Sequence, residues 1–176
     1  MFNKISIVGG PGTGKTTLSN ILSNISGLPV LHLDGVHFMP NWKTRDKQEQ
    51  DKIILDYIKQ EKWILDGTYS NTIKERFASS DLIIFLDYST MAKMKGIIQR
   101  MFKERKKERV EIPGCNERFN MEFFLYTLNY NRKKRYKVTD ALKDVDSKKV
   151  LIFKNRKKLN KWIEKNRNNR EIVLDE

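Results

Sequence analysis

The sequence is poor in cysteine and has no long apolar segment, and both shortages exclude classes of protein. Cys115 is the one cysteine among 176 residues, so the chain has no internal disulfide framework. No apolar run approaches the roughly 20 residues of a membrane-spanning helix. The N-terminus passes from Met-Phe-Asn-Lys directly into a strand-like run, which lacks the pattern of a signal peptide. We therefore expect a cytoplasmic protein without a membrane span.

Acidic residues are scarce in the second half of the chain. Residues 1–90 contain ten Lys and Arg and ten Asp and Glu, whereas residues 91–176 contain 25 basic and 12 acidic residues and carry the whole net charge of +13. Such an excess is typical of a protein with a polyanionic partner: nucleotide phosphates, nucleic acid or an anionic surface. Lysine-rich helix faces that are merely solvated would produce the same pattern.

Short apolar runs alternate with helical patterns along the chain, which predicts an α/β fold. Each run is apolar nearly throughout, as in parallel strands that helices cover on both faces. The predicted strands are Lys4–Val8, Val30–Leu33, Lys62–Leu65, Leu82–Leu86 and Lys149–Phe153, and the predicted helices are Lys15–Ile25, Asp46–Gln60, Asn71–Ala78, Thr90–Arg109, Glu117–Tyr136 and Asn155–Lys165. The length and the absence of a linker predict one domain over residues 1–176, a three-layer sandwich around a five-stranded parallel sheet.

Residues 91–137 exceed what a minimal five-stranded sandwich needs, and we call them the basic arm. Two long helical patterns are separated by residues 111–116, where Pro113-Gly114 marks a turn. An insertion of this kind between the fourth and fifth strands predicts a lid laid over a site. Arginines that a lid brings in can stabilise the charge that develops in phosphoryl transfer. The candidates on the first helix of the arm are Arg100, Arg105 and Arg109.

The segment Gly9-Gly-Pro-Gly-Thr-Gly14-Lys15-Thr16 matches the phosphate-binding pattern G-x-x-x-x-G-K-[ST]. It follows a predicted strand and precedes a predicted helix, which is the context that this motif requires. Glycines let backbone N–H groups surround a phosphate, and the start of the helix favours the anion further. Lys15 is placed to reach the phosphates of ATP, and the Thr16 hydroxyl to bind Mg²⁺. The predicted nucleotide-binding residues are Gly9, Gly10, Pro11, Gly12, Thr13, Gly14, Lys15, Thr16 and Thr17.

Three predicted strands run into the aspartates Asp34, Asp66 and Asp87, and open α/β sheets bind ligands beyond these strand ends. We predict that Asp66 shares the Mg²⁺ site with Thr16, because its Asp-Gly turn suits a kinase site, and Asp87 is the rival for this role. Asp34 is predicted to orient or deprotonate an acceptor hydroxyl, or to bind the metal ion through a water molecule. An Asp that only stabilises the turn before Gly35 is the alternative interpretation.

Two further groups of residues have both a functional and a structural interpretation. His37, Phe38, Trp42 and Tyr69 either line an aromatic acceptor pocket or pack in the core. Asn155 and Arg156 follow the last predicted strand, where P-loop kinases commonly place a loop under the nucleotide base. Asn155 would equally serve as the N-cap of the terminal helix.

Several segments resemble the bacterial adenylate-kinase-related proteins known as the DNA topology modulation family. The resemblance rests on Gly9–Thr17, His32-Leu-Asp34, Trp63–Ser70, Leu82–Asp87 and the arginine-rich arm, and it extends to about Ile163. It implies a nucleoside-monophosphate-kinase-like fold with strand order 2-3-1-4-5, which places Asp66 beside the P-loop strand. It also implies a mobile lid that carries Arg100, Arg105 and Arg109. Adenylate kinases have Asp-Gly-Phe-Pro-Arg where this chain has Asp66-Gly-Thr-Tyr-Ser70, and the missing arginine argues against AMP as acceptor.

We therefore predict a Mg²⁺-dependent kinase that transfers the γ-phosphoryl group of ATP to a nucleotide or another small molecule. The alternative is a nucleotide-regulated DNA-binding protein, since basic clusters give affinity for DNA without a dedicated motif. No zinc finger, homeodomain or RRM signature accompanies those clusters. A simple NTPase is the third hypothesis. The sequence indicates neither the acceptor nor the oligomeric state.

Overall fold

The described part of the chain contains seven strands, eight α-helices and two short 3₁₀ helices. The computed structural model describes residues 2–103, 111–115, 121–169 and 171–174. The strands are β1 (Lys4–Gly9), β2 (Val30–His32), β3 (Phe38–Met39), β4 (Lys43–Thr44), β5 (Trp63–Asp66), β6 (Leu82–Leu86) and β7 (Val150–Phe153). The helices are α1 (Lys15–Ser26), α2 (Leu33–His37), α3 (Lys47–Tyr57), α4 (Ile73–Ser79), α5 (Thr90–Lys103), α6 (Met121–Lys133), α7 (Arg135–Leu142) and α8 (Arg156–Asn169).

Five parallel strands form the central sheet in the order β2-β5-β1-β6-β7. The strand numbers differ from the predicted order 2-3-1-4-5, because the structure contains two further strands, β3 and β4, that the prediction did not count; the five predicted strands themselves lie in the predicted spatial order. The two short strands β3 and β4, which follow β2 and precede β5 in the sequence, form a separate antiparallel ribbon outside the central sheet. The sequence analysis did not predict them. β1, which leads into the phosphate-binding motif, lies between β5 and β6. Asp66, at the end of β5, therefore comes next to the P-loop strand.

Helices cover both faces of the sheet because successive strand residues point to opposite sides. Ile5 and Ile7 of β1 pack with α1 and α8, whereas Val8 packs with α4 and α7. Trp63 and Leu65 of β5 belong to a third apolar cluster with α2 and α3. The predicted three-layer arrangement follows from this alternation, since strands that are apolar on both faces need a helix layer on each side.

Most of the observed boundaries differ from the predicted ones by a few residues, and two of these differences change the course of the chain. The strand predicted as Val30–Leu33 ends at His32, since Leu33 begins α2 and packs in the apolar cluster with α3. The helix predicted as Glu117–Tyr136 ends at Lys133 within the described residues, because Lys134 leaves the helical conformation (φ −131°). The chain then continues as α7, so that Val138 and Ala141 reach the sheet.

The described turn of the basic arm, residues 111–115, lies against the ribbon β3–β4. The Asn41 amide donates a hydrogen bond to the carbonyl of Gly114 (3.1 Å), and the Trp42 amide donates to the Cys115 Sγ (3.3 Å). Asn41 and Trp42 both have positive φ (62° and 60°), an unfavourable backbone conformation for these residues. The two hydrogen bonds hold this strained turn in place.

Among the described residues, no helix is both long enough and apolar enough to span a bilayer.

Candidate nucleotide and acceptor site

The phosphate-binding loop connects β1 to the first turn of α1, as its motif predicts. Gly12 and Gly14 have positive φ (73° and 89°), which side chains other than glycine rarely adopt. The Lys15 ammonium donates to the carbonyl of Gly10 (3.2 Å), and the buried Thr13 hydroxyl donates to the same oxygen (2.9 Å). These contacts curl the loop around its own backbone, and the loop residues fit a phosphate group in the way that the motif requires.

Asp66 connects the end of β5 to helix α1. Its side chain is buried, and its carboxylate accepts a hydrogen bond from the Ser19 hydroxyl (2.5 Å). The same hydroxyl lies 2.9 Å from the carbonyl oxygen of Thr16, the predicted Mg²⁺ ligand. Asp66 and Thr16 are therefore both joined to Ser19. The sequence analysis missed Ser19, although a small polar residue three positions after Thr16 lies on the same face of a helix.

His32 is the second partner of Asp66. Its Nδ1 lies 2.9 Å from the carboxylate. Burial by itself would lower the pKa of His32, but the hydrogen bond and the negative charge of Asp66 outweigh burial and raise the pKa above its ordinary value. The structure thus brings His32 into direct contact with a predicted metal ligand.

The described residues fit a Mg²⁺ ion that is shared with a phosphate ligand. No group of three or more His, Cys, Asp or Glu side chains in the described ranges could hold a metal ion by itself. Mg²⁺ usually takes one or two carboxylates and completes its shell with water and substrate phosphates. One carboxylate and one hydroxyl beside a phosphate-binding loop match this chemistry.

Asp87, the rival for the metal role, is occupied by two cations. Its oxygens accept both bonds of a bidentate pair with Arg135 (2.7 Å each), and one of them also accepts a bond from Lys154. Burial alone would raise the pKa of Asp87, but the bonds and charges of these two cations lower it. Asp87 is thus ionised and neutralised within the protein, whereas Asp66 meets a histidine and a hydroxyl.

The loop after β5 joins the phosphate-binding loop to the opposite side of the site. The Thr68 hydroxyl accepts from the amide of Gly9 (3.0 Å) and donates to its carbonyl (2.8 Å). The Tyr69 hydroxyl donates to Asp34 (3.2 Å). Asp34 lies in the first turn of α2, directly after Leu33, the predicted last residue of the strand. The structure therefore brings the predicted residue Asp34 and the predicted ring of Tyr69 together.

Arg76 of α4 fixes the backbone of this loop. Its side chain is 0% exposed, and it donates to the carbonyls of Gly67 (3.0 Å) and Tyr69 (2.7 Å). Burial lowers the pKa of Arg76 to about 10. A guanidinium with five donors in a rigid plane suits two carbonyls of one loop. The sequence contains no signal for this role, because the two carbonyls belong to the backbone.

The four predicted aromatic residues form one half-buried cluster. The ring centroid of His37 lies 4.5 Å from that of Phe38 and 5.2 Å from that of Tyr69. The ring centroids of Phe38 and Trp42 are 5.2 Å apart. The Nδ1 of His37 lies 3.0 Å from the Gln50 Oε1, which orients the ring. The cluster borders Asp34 through the hydroxyl of Tyr69, and the same Tyr69 also packs against the apolar cluster of α2 and α3.

Helix α5 lies directly on the phosphate-binding loop, a contact that the sequence analysis did not predict. A Cβ added to Gly96 would lie 2.0 Å from the carbonyl oxygen of Gly12, and one added to Gly12 would lie 2.3 Å from the carbonyl of Lys93. A Cβ on Gly10 would meet the Lys93 side chain at 2.6 Å. Glycines on both elements thus permit an approach that no other residue would allow.

The remaining predicted residues lie at three places. Arg100 stacks over the ring of Phe123 (5.8 Å to the centroid), while Arg105 and Arg109 lie outside the described residues. Asn155 accepts a bond from the amide of Lys158 (3.0 Å), so it caps α8, as the structural interpretation predicts. Arg156 lies beside the loop, with its Nη2 3.5 Å from the carbonyl of Gly12.

Comparisons with known proteins extend this description. A family model described as "AAA domain" matches residues 4–176. No curated protein matches the sequence.

Solved structures show the fold of small P-loop kinases. Shikimate kinase from Bacteroides thetaiotaomicron is 15% identical (TM-score 0.57), with 96% of this chain and 98% of that chain covered. Shikimate kinase from Acinetobacter baumannii in complex with shikimate is 16% identical (TM-score 0.57; 94% and 90% covered). A gluconokinase from Sinorhizobium meliloti is 11% identical (TM-score 0.50; 96% and 91% covered). At these identities the likeness shows the fold, and the DNA topology modulation family stays a prediction.

Proposed function

Because the chain belongs to the AAA domain family and shares the fold of small P-loop kinases, we propose that it is an ATP-dependent kinase for a small hydroxyl-bearing acceptor. One observation carries this proposal. Two carboxylates flank the loop after β5: Asp66, the last residue of β5, accepts a hydrogen bond from Ser19 of α1, and Asp34 of α2 accepts one from Tyr69 of that loop. A nucleotide hydrolase needs the first carboxylate but has no use for the second.

On the nucleotide side, some of the proposed residues bind the phosphates and others would hold Mg²⁺. The loop amides and Lys15 bind the phosphates, and Arg156 extends the positive surface next to Gly12. Thr16 and Asp66 would hold Mg²⁺, which neutralises charge on the transferred phosphoryl group when it is bound. We assign the metal role to Asp66 rather than Asp87, because the two cations on Asp87 would have to leave before it could bind a third.

On the acceptor side, Asp34 is the candidate base. The two oxygens of a carboxylate offer several acceptor sites, so the hydrogen bond from the Tyr69 phenol is compatible with one from an acceptor hydroxyl. The Tyr69 hydroxyl fixes the carboxylate, and Arg76 fixes the backbone of Tyr69. The half-buried rings of His37, Phe38 and Trp42 provide an apolar wall against which a small carbon skeleton would pack.

The basic arm is the proposed lid. Its turn, residues 111–115, contacts the ribbon β3–β4 beside the aromatic cluster. Arg100, and with it Arg105 and Arg109, would then stabilise charge during transfer. A lid that closes over both substrates also excludes water, which favours transfer over hydrolysis.

The chemistry of the neighbours narrows the first choice of acceptors. Shikimate kinases and gluconokinases are named for acceptors that carry hydroxyl groups, so a panel of polyols, sugar acids and cyclic hydroxy acids comes first. Nucleoside monophosphates form the second panel. A name shared through fold alone does not identify the acceptor.

Phosphoryl transfer from labelled ATP to these panels tests the proposal. With Mg²⁺ and the right acceptor, labelled product should exceed labelled inorganic phosphate, and Lys15→Ala should reduce transfer about a hundredfold or more. Lys95→Ala, an exposed lysine of α5, is the control and should match the wild type. Release of phosphate that no acceptor diverts would indicate a hydrolase instead.

DNA binding is the second candidate, because the basic excess lies in residues 91–176. Duplex DNA should then bind with an affinity that falls with salt at a log–log slope of about −0.9 per phosphate contacted. DNA that protects the Pro113-Gly114 turn from limited proteolysis, in conditions where ATP with Mg²⁺ does not, would favour this candidate over the lid.

A further inference from the structure

Lys93 is a buried amine to which the proposed mechanism gives no role. It lies in α5, and only 1% of the residue is exposed. Its ammonium donates to the side-chain oxygen of Asn131 and lies 4.6 Å from the centroid of the Tyr130 ring. In the described part of the chain no carboxylate lies within ion-pair distance of it. A buried cation without a carboxylate is costly, so a structural role alone would be better served by an apolar side chain.

The aliphatic part of Lys93 lies on the phosphate-binding loop. A Cβ on Gly10 would come within 2.6 Å of the Lys93 Cδ, so the lysine crosses directly over the α-carbon of that glycine. The carbonyl of the same glycine accepts the hydrogen bond of Lys15. Two lysines from different helices therefore converge on one residue of the loop.

Positive charge accumulates at this point. The pKa of Lys93 is lowered to about 8: burial is the largest cause, the charge of Asp87 acts in the opposite direction, and the charges of Arg135 and Lys15 add to the lowering. Asp87 is already paired with Arg135 and Lys154. Tyr130, the titratable group on α6 that faces Lys93, has a pKa that burial raises. The loop is thus flanked by more cations than carboxylates, and an anionic ligand would relieve this imbalance.

We propose that Lys93 is a second phosphate-binding lysine, which donates to a terminal phosphate of the nucleotide from the side opposite Lys15. An ammonium has three donors, and the oxygen of Asn131 accepts one of them. The contact of its Cδ with Gly10 places the stem of the Lys93 side chain on the loop. The inference rests on the proposed nucleotide site and adds the arm's first helix to it.

Substitution by methionine removes the charge and keeps most of the buried aliphatic volume. Lys93→Met should fold, because the apolar stem that packs on Gly10 is retained. Its dissociation constant for MgADP should rise about tenfold or more, the effect of losing a hydrogen bond to a charged group. Binding of adenosine, which has no phosphate, should not change. Lys95→Met, the exposed lysine two positions further on the same helix, is the matched control for both ligands.

The pH profile supplies a readout that a structural role would not produce. Since the pKa of Lys93 is about 8, the wild-type affinity for MgADP should fall between pH 7 and pH 9 as the amine loses its proton. Lys93→Met should show little of this fall, and Lys95→Met should show all of it.

The outcomes separate the inference from the function on which it rests. A wild type that does not bind MgADP would refute the nucleotide site itself. If the wild type binds and Lys93→Met binds equally well with the same pH profile, the inference is wrong and the nucleotide site stands. If Lys93→Met and the shorter, neutral Lys93→Gln both fail to fold, the wild-type profile decides, since a flat affinity for MgADP between pH 7 and pH 9 would overturn the role of Lys93.

Discussion

A single methyl group added to helix α5 should disturb the phosphate-binding loop, although α5 follows that loop by about 80 residues of sequence. The Cβ of Gly96→Ala would lie 2.0 Å from the carbonyl oxygen of Gly12 and 3.0 Å from its carbonyl carbon. Non-bonded heavy atoms pack at about 3.5 Å, so one of the two elements has to move by about 1 Å or more. Both atoms belong to backbone, so a side-chain rotation cannot relieve the contact.

Gly96→Ala should lower the free energy of unfolding, whereas helix propensity alone predicts that it raises it. Glycine to alanine in the interior of a helix stabilises by about 1 kcal/mol. Overpacking of a close contact costs about 1–3 kcal/mol. The contact therefore cancels or exceeds the gain, and the free energy of unfolding should fall by up to about 2 kcal/mol. For a chain of this size that corresponds to a Tm lower by up to roughly 8 °C.

Thermal unfolding and MgADP titration of the same variant check this prediction. Gly96→Ala should lose nucleotide affinity together with thermal stability, because the displaced carbonyl belongs to the phosphate-binding loop. Lys95→Ala, at an exposed position of the same helix, controls for general effects on α5. A Gly96→Ala protein with a higher Tm and unchanged affinity would show that α5 does not lie on the loop.

Three further predictions concern the carboxylates and His32. Asp66→Asn should raise the Mg²⁺ concentration for half-maximal transfer by about 10-fold to 100-fold, whereas Asp34→Asn should leave that concentration unchanged and slow transfer. Mg²⁺ titrations of both variants check this prediction, and the reverse result would exchange the roles of the two carboxylates. Asp87→Asn should lower the free energy of unfolding by about 1–3 kcal/mol, because it unpairs Arg135, without changing the Mg²⁺ requirement; a higher requirement would move the metal site to Asp87. The pKa of His32 is raised in the folded state, so its ion pair stabilises fully below the unfolded pKa of 6.5 and is lost as the pH rises through the folded value. The stability difference between wild type and His32→Gln in denaturant titrations should therefore shrink as the pH rises from 6 upwards, and a constant difference would refute the pairing.

The sequence predicts the layers of the fold better than its connections. Apolar runs such as Leu82–Leu86 specify buried strands, because a helix layer on each side leaves no polar position, and this strand has the predicted bounds. The ribbon β3–β4 has only two residues in each strand, too short for any periodicity to appear. Its turn also contains Asn41 and Trp42 at positive φ, where turn chemistry would favour glycine.

Among the site residues, the sequence predicts those that belong to a local motif and misses those that contacts between distant elements bring in. The motif predicts the loop around Lys15, because its chemistry depends on neighbours in sequence. Ser19 and Lys93 join the site through contacts between different elements, and no local pattern distinguishes either from an ordinary helix residue. Asn155 is the opposite case, because a local pattern describes its contact. Its interpretation as the N-cap of α8 accounts for the hydrogen bond from the Lys158 amide, whereas its interpretation as part of a loop under the nucleotide base does not.

The anchoring of the loop after β5 by Arg76 bears on how such a protein acquires new acceptors. Arg76 binds carbonyl groups of Gly67 and Tyr69, and every residue type supplies a carbonyl. In the proposed kinase, a mutation at position 69 would therefore change the side chain presented to the acceptor, while the loop keeps its path and Asp66 keeps its place beside α1. Selection can then test acceptor preferences one substitution at a time without first losing the nucleotide site. Arg76 itself has no such freedom, because no other side chain donates to two carbonyls from one rigid plane.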